Sequence, residues 1–254
     1  MEKIPASVGW DWITKGYALF RKQPADLSML FFMYLLLTLG LVGIPVVGPI
    51  MFFVFSPVFS MTFMHACADI EQDKRVLPNL LFIGFRSPAL RTLVILGVLS
   101  LVTTVAALGS SALIDGGMFW NVMSGQIKPD EKAVQESDMA LAMLVALAVY
   151  IPAAMAFWYA APLVAWQNMK VGKALFYSFF SVRKAGRAFV LYFLIWGAVG
   201  FVLLIGTSAG AIVIFAPLAI VLTLIRYCSF YPSYTTLFGS APVAAQLPED
   251  PPAA

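Results

Sequence analysis

The sequence predicts an all-α integral membrane protein with six transmembrane helices, arranged as three hairpins that each follow a short cytoplasmic-side interfacial amphipathic helix. Three observations predict this fold class. Hydrophobic residues make up 61% of the 254 residues and charged residues 11%, whereas about a quarter of the residues in a soluble domain are charged. The hydrophobic residues form six long runs. The Lys and Arg residues concentrate in alternate connections between those runs.

Each hydrophobic run is close to the length that crosses a bilayer. A hydrocarbon core about 30 Å thick needs about 20 apolar residues per helix, and runs that do not alternate with a period of two predict helices. The predicted spans are residues 27–41, 45–66, 90–113, 139–166, 188–205 and 211–231. Residues 1–26 carry charges throughout and lack the apolar core of a signal peptide, so we expect the first span to remain in the mature protein.

The Lys and Arg residues predict which way the chain crosses the membrane. All but two of the 16 lie before span one, around the connection between spans two and three, between spans four and five, or late in span six. The other two, Lys128 and Lys132, lie in the loop between spans three and four. Because positively charged connections stay in the cytoplasm, we expect both termini to be cytoplasmic.

The chain is predicted to form one polytopic membrane domain over residues 1–238. Its one long outer loop, residues 114–138, carries more acidic than basic residues, and we expect it to be a solvated cap. Residues 239–254 are rich in Pro and Ala without apolar periodicity, which predicts a disordered cytoplasmic tail.

Three segments of the chain share one plan, at residues 8–67, 77–167 and 172–232. Each opens with a short helix, passes a basic residue close to a helix breaker, and enters a membrane hairpin. Apolar residues three or four positions apart share one face of a helix. The interfacial apolar faces are predicted to consist of Trp10, Ile13, Tyr17 and Phe20 in the first segment, Leu81 and Phe85 in the second, and Leu175 and Phe179 in the third.

Basic residues close to these short helices are candidate contacts for anionic lipid headgroups. A helix with aromatic residues on one side and basic residues on the other lies in the membrane interface, where each basic residue contributes about 1 kcal/mol of attraction to anionic lipid. Alternatively, the short helices pack on the bundle as a collar, and both arrangements can hold together. The candidate residues are Arg21, Lys22, Arg86, Arg91, Arg183, Lys184 and Arg187.

Three prolines inside the even-numbered spans predict helix kinks. Pro57, Pro162 and Pro217 each follow a small residue and precede bulky apolar residues. A proline removes one backbone hydrogen bond and bends a helix. We expect the three kinks to be equivalent and to splay the cytoplasmic ends of spans two, four and six.

The sequence contains no recognisable catalytic, cofactor or metal motif. The ionisable residues of the spans are predicted near span ends, which argues against a proton relay; they are Asp26, His65, Asp69, Arg91, Asp115 and Arg226. A metal site from His65, Cys67, Asp69 and Cys228 is disfavoured, because Cys67 points away from the face that His65 and Asp69 share. We therefore expect no enzyme activity, no metal and no cofactor, and we interpret the two cysteines as buried or lipid-facing thiols.

Several segments resemble a family of uncharacterised six-span inner-membrane proteins of proteobacteria. They are VGWDWITKGYALFRKQP, SPVFSMTFMHACADIEQ, NLLFIGFR, APLVAW and ALFYSFFSVRKAGRAF, and the resemblance covers most of residues 8–238. It implies a location in the bacterial inner membrane. A looser likeness extends to the membrane domains of some glycerophosphodiester phosphodiesterases, whose soluble catalytic domain has no counterpart in this sequence.

The leading hypothesis is a non-enzymatic membrane protein that acts as a lipid-interacting or partner-binding scaffold. Its expected partners are anionic membrane lipids, with a membrane-protein partner as a further option and no nucleic acid. The alternative is a transporter or channel for a small or lipophilic molecule. A third hypothesis is a lipid-modifying enzyme that uses His65 or Asp69. A cavity lined by Ser60, Thr104 or Tyr159 would favour transport, and a dry packed core would favour the scaffold.

Overall fold

The computed structural model describes residues 4–123, 138–208 and 210–240. These residues form helices joined by short connections. The helices are α1 (Ser7–Lys22), α2 (Pro24–Val42), α3 (Val47–Glu71), a 3₁₀ turn (Pro78–Phe82), α4 (Ile83–Arg86), α5 (Leu90–Asp115), α6 (Met118–Met123), α7 (Met139–Phe157), α8 (Ala160–Gln167), α9 (Val171–Lys184), α10 (Gly186–Ser208) and α11 (Ile212–Phe238).

Six helical segments are long and apolar enough to cross a membrane. They are α2, α3, α5, α7 with α8, α10 and α11, and they confirm the predicted all-α membrane class and its six spans. We call α2–α3 hairpin 1, α5 with α7–α8 hairpin 2, and α10–α11 hairpin 3. The predicted disordered tail and most of the predicted outer loop lie outside the described residues.

The last turns of α3, α8 and α11 meet at one end of the bundle. The Trp166 indole Nε1 donates to His65 Nε2 at 3.2 Å, and the Gln167 amide donates to the Tyr234 hydroxyl at 3.0 Å. The Tyr231 hydroxyl donates to the Glu71 carboxylate. The expectation that these ends splay apart is therefore wrong, since aromatic rings and hydrogen bonds fasten them together.

We call the end of the bundle where the last turns of α3, α8 and α11 meet the basic end of the molecule. Every described Lys and Arg residue except Arg226 belongs to the short elements, connections and terminal turns located there. The largest fully buried side chains also lie in the half of the bundle next to this end; they are Trp12, Tyr159, Tyr231, Tyr234, Leu27, Leu30, Met61, Met64, Ile70, Leu93, Leu96 and Leu163.

Toward the opposite end, which we call the far end, burial comes from small residues between the two helices of one hairpin. Gly48 lies against Leu41 in hairpin 1, and Gly206 lies against the Phe215 ring in hairpin 3. Hairpin 2 buries Ala107 and Ala142. Most of the large apolar side chains in this half are exposed, as expected for surfaces that face lipid.

Each short element packs mainly on a hairpin other than the one that directly follows it in the chain. The 3₁₀ turn and α4 lie on hairpin 1, α9 lies on hairpin 2, and α1 lies on hairpin 3. The second and third short elements thus cover the hairpin just before them in the chain. Helix α1 comes before all three hairpins and packs on the last one, so the first and last parts of the chain are joined.

Glycine residues allow the short elements to approach the backbone of the hairpins closely. A Cβ atom added to Gly9 would lie 2.2 Å from the Ala188 carbonyl oxygen, and one added to Gly16 would lie 2.6 Å from Ser229 Cα. In the second element, Gly84 contacts the backbone of Val58 in the same way. Close backbone approach of this kind is typical of helix contacts in membranes.

The fourth span is interrupted at Trp158 and Tyr159, where α7 ends and α8 begins. Pro162 lacks the N–H that would bond the Trp158 carbonyl, which explains the break. Ser178 of α9 is buried in this break. Its hydroxyl donates to the Met155 carbonyl at 2.8 Å and accepts from the Tyr159 N–H at 2.9 Å.

The three predicted kink prolines are not equivalent in position. Pro57 lies in the middle of α3, Pro162 in the first turn of α8, and Pro217 in the second turn of α11. Helices α3 and α11 continue through Pro57 and Pro217, so Pro162 is the only one of the three that lies beside a helix break. Sequence spacing does not reveal this difference, because the even-numbered spans differ in length.

The second short element also differs from its prediction. It consists of a 3₁₀ turn followed by one turn of α-helix, rather than a regular amphipathic helix. Pro78 begins the turn and Pro88 follows it closely, which leaves too few residues for a longer helix.

We expect the substitution Gly16→Ala to separate α1 from hairpin 3, because the new methyl group would overlap the Ser229 backbone. Overpacking of this kind costs about 1–3 kcal/mol, so the melting temperature of the detergent-solubilised protein should fall. Gly172→Ala is the matched control, since a Cβ added at Gly172 meets no atom within 4 Å. A melting temperature unchanged by Gly16→Ala would contradict the described contact.

Candidate functional site

Helix α1 presents three different surfaces. Its buried face consists of Gly9, Trp12, Gly16 and Phe20 and packs on hairpin 3. Trp10 and Tyr17 are about half exposed beside that face, and the third surface is polar. Of the residues predicted to form its interfacial apolar face, Phe20 is buried in the bundle, Ile13 is half-buried, and Trp10 and Tyr17 point outward.

Helix α9 also separates a bundle-facing side from an outward aromatic side. Ala174, Ser178 and Val182 are buried against hairpin 2. Phe176, Tyr177 and Phe180 are exposed, and the rings of Phe176 and Phe180 lie 4.5 Å apart. The predicted face residues Leu175 and Phe179 are half-buried at the edge between the two sides.

The second short element directs its predicted residues toward the bundle. Leu81 is buried, and Phe85 packs against the rings of Phe55 and Phe59. Leu77 and Phe82 are the exposed apolar residues of this element.

Exposed basic residues accompany the outward aromatic residues at the basic end. The Arg21 guanidinium lies 5.8 Å from the centre of the Tyr17 ring, and the Lys173 ammonium lies 5.7 Å from that of Tyr177. Arg21, Arg86, Arg91, Arg183, Lys184 and Arg187 are all exposed. We call these six residues with the outward aromatic residues of α1 and α9 the basic–aromatic belt.

Lys22 differs from the other predicted lipid contacts because it is held by protein groups. Its ammonium forms an ion pair with Asp73 at 2.8 Å. Next to it, the Gln23 amide donates to the Lys74 carbonyl at 2.7 Å and accepts from the Val76 N–H at 2.9 Å. These bonds hold the junction of α1 and α2 against the connection that follows α3.

Arg75 strengthens the same junction. Its guanidinium donates to both carboxylate oxygens of Asp26, at 3.2 and 3.4 Å. The hydrogen bonds to Asp26, together with the charge of its carboxylate, raise the pKa of Arg75 above its ordinary value. Among the described residues, Lys22–Asp73 and Arg75–Asp26 are the ion pairs formed.

A cavity of about 460 Å³ lies inside the bundle, between the three hairpins. Its wall is mainly aromatic and apolar, with contributions from Tyr34 of α2, Phe63 of α3, Leu96 of α5, Trp158 next to α7, and Phe230 of α11. A cavity of this volume is within the range of small-molecule sites.

A smaller cavity of about 230 Å³ adjoins it between α5 and α7. Ser100, Phe157 and Trp158 line both cavities. Thr103, Thr104 and Tyr150 line the smaller one and continue it toward the far end. Three residues were predicted to line a cavity in a transporter. Ser60 and Thr104 line these cavities, whereas Tyr159 is fully buried in the core.

The hydroxyl groups of these cavities mostly bond to their own helices. Ser56 and Ser60 donate to the carbonyls of Phe53 and Pro57, at 2.9 and 2.8 Å. Thr103 and Thr104 donate to backbone carbonyls four residues earlier. Serine and threonine often bond in this way in membrane helices, and their lone pairs remain available.

Among the described residues that line the larger cavity, Arg226 is the charged one. The sequence predicts Arg226 near the end of span six, and helix α11 continues for twelve residues beyond it, to Phe238. Arg226 is five residues, about 7.5 Å, farther into the bundle than Tyr231. The sequence contains a signal for this longer helix, because the aromatic residues from Tyr231 to Phe238 suit continued packing within a protein core.

The residues that the sequence offers for a metal site have structural contacts instead. His65 accepts the hydrogen bond from Trp166, and Cys67 and Cys228 are buried free thiols. Among the described residues, no group of three or more His, Cys, Asp or Glu side chains is arranged to hold a metal ion.

Comparison with known proteins identifies a bacterial relative. A protein of Burkholderia thailandensis described as a probable inner membrane protein is 36% identical over 263 residues, which cover 97% of this chain and 97% of the relative. This chain belongs to the same inner-membrane protein family. The predicted resemblance to such a family is thereby confirmed, and the protein is a multi-pass inner-membrane protein.

Other comparisons add no further relative of known structure or function. No family model matches this inner-membrane protein, and no solved structure matches it. The looser likeness to membrane domains of glycerophosphodiester phosphodiesterases stays a prediction.

Proposed function

We propose that this inner-membrane protein is a non-enzymatic, lipid-interacting protein that holds anionic lipid against its basic end. The observation that carries the proposal is the basic–aromatic belt. Aromatic rings with half of their surface exposed lie beside exposed Arg and Lys side chains on α1 and α9. Side chains of these two types lie together where a helix meets the headgroups and the upper acyl chains.

The charges of the belt favour anionic lipid over zwitterionic lipid. The two ion pairs of the described residues use Lys22 and Arg75, neither of which is in the belt. The six belt cations are therefore available to phosphate groups. The concentration of Lys and Arg at this end also supports a cytoplasmic location for both termini.

A scaffold for a protein partner is the other use of the same surface. The outward rings of Phe176 and Phe180 could pack on a membrane helix as well as on lipid. The neighbouring positive charges favour lipid as the occupant, since anionic headgroups are abundant at the cytoplasmic surface.

The belt predicts that the double variant Arg183→Gln, Lys184→Gln retains less anionic lipid through purification. Each basic residue near the surface contributes about 1 kcal/mol, or about fivefold in binding, and added salt should weaken the retention. Retained phosphatidylglycerol can be counted by native mass spectrometry of the detergent-solubilised protein.

The control for this experiment is the double variant Lys22→Gln, Asp73→Asn. It also changes two charged side chains at the basic end, but the two form an ion pair with each other. It should retain as much anionic lipid as the wild type. Equal retention by Arg183→Gln, Lys184→Gln and the wild type would refute the belt as a lipid contact.

Transport of a small or lipophilic molecule is the second candidate function. It is favoured by the two adjoining cavities, which together follow the inner surface of α5 and α7 toward the far end. Serine and threonine side chains occur along this route.

Transport predicts that vesicles containing the protein move a fluorescent short-chain anionic lipid between leaflets faster than protein-free vesicles. Ser100→Phe should slow this movement, because Ser100 lines both cavities and a ring there would block their junction. If the fluorescent lipid moves between leaflets at the protein-free rate while the protein still retains anionic lipid, transport of that lipid is excluded. The proposed lipid-holding function is then unaffected.

A further inference from the structure

Arg226 is an arginine within a membrane span. It lies fourteen residues after Ile212 and twelve before Phe238 in α11, which corresponds to about 21 Å and 18 Å of helix. Charged side chains inside spans are costly and usually serve a function, such as binding an ion or a ligand of opposite charge.

The protein does not neutralise the Arg226 charge within its described part. Neither of the two ion pairs there includes Arg226, and none of the described residues that line the larger cavity is acidic. The side chain is exposed rather than packed. A guanidinium that has no carboxylate partner and lies beside an aromatic and apolar wall can pair with an anion, and this attraction grows stronger as less water surrounds the pair.

The chamber around Arg226 fits a molecule that is apolar beyond its anionic group. Aromatic residues of three membrane spans, Tyr34, Trp158 and Phe230, contribute to its wall. The adjoining smaller cavity extends from Trp158 toward Tyr150 and the far end.

We infer that the larger cavity is a binding site for an anionic amphiphile, whose phosphate or carboxylate pairs with the Arg226 guanidinium and whose hydrocarbon chain occupies the smaller cavity. Guanidinium groups bind both of these anions through two parallel hydrogen bonds. This site is separate from the basic–aromatic belt and does not depend on the lipid retention proposed for it.

The inference is tested by titrating the wild-type protein in an uncharged detergent and counting bound molecules by native mass spectrometry. The probes are dodecyl phosphate, dodecanoate, dodecanol and inorganic phosphate. One of the two anionic amphiphiles, or both, should bind at one per protein and at least tenfold more tightly than dodecanol and inorganic phosphate. Equal binding of dodecanol would refute the role of charge, and equal binding of inorganic phosphate would refute the role of the chain.

Variants assign the site to Arg226. Arg226→Gln should weaken binding of the preferred amphiphile at least tenfold, while Lys15→Gln, at an exposed position of α1 outside the belt, should leave it unchanged. Ser60→Phe keeps Arg226 but fills the larger cavity, and it should weaken binding as well, which provides a second test if Arg226→Gln does not fold. Wild-type affinity in either folded cavity variant would overturn the inference.

The same preparations separate this site from the belt. Arg226→Gln should retain the wild-type amount of phosphatidylglycerol, because the belt is intact. Loss of dodecyl phosphate binding in Arg183→Gln, Lys184→Gln but not in Arg226→Gln would place the anion at the belt and overturn the cavity site.

Discussion

The structure depends on close contact between the short elements and the hairpins at the basic end. Lipid chains are as apolar as leucine, so apolar surface alone gives membrane hairpins little reason to associate. Here association comes from backbone approach at glycine and from hydrogen bonds that have no competition from water. Gly16 against Ser229 and Ser178 in the break of the fourth span are the clearest cases.

The order of these contacts along the chain makes the assembly closed. The second and third short elements each fasten a new segment to the hairpin that precedes it. Helix α1 then joins the beginning of the chain to hairpin 3. Because the three hairpins are linked to one another at the basic end, the distances between them are fixed there. The hairpins then need no contact along their full length, and a cavity can persist between them.

The cavity and the belt place positive charge at two depths. In the proposed function the belt contacts the lipid headgroups, and Arg226 lies farther into the bundle, beside aromatic rings. A molecule attracted to the belt by long-range electrostatics would thus find a second cation deeper in the protein, in surroundings of lower dielectric constant. Anionic lipid would then be the common partner of both regions.

Hydropathy and charge were sufficient to predict the fold class, because the number of long apolar runs is a property of composition along the chain. The faces of the short helices were harder to predict. An apolar pattern on α1 selects Trp10 and Tyr17, but the face that packs contains Gly9 and Gly16, whose importance comes from the absence of a side chain. The role of Ser178 could not be predicted either, because its hydroxyl bonds to backbone groups that are left free by the break in the fourth span.

Arg226 illustrates the limit of hydropathy for the functional site. Hydropathy ends the last span near Tyr231, where polar residues become frequent. The helix continues because that segment is packed against α1 and α3, inside the protein rather than in lipid. The depth of a charged residue therefore depends on tertiary contacts that a single sequence does not specify.

An electron cryomicroscopy map of the wild-type protein in nanodiscs that contain anionic lipid would test the closed assembly and the cavity site together. We expect α1 packed on hairpin 3 and an elongated density in the cavity, with its head within hydrogen-bonding distance of the Arg226 guanidinium. An empty cavity in such a map, with Arg226 paired to a carboxylate of the protein, would contradict the proposed site.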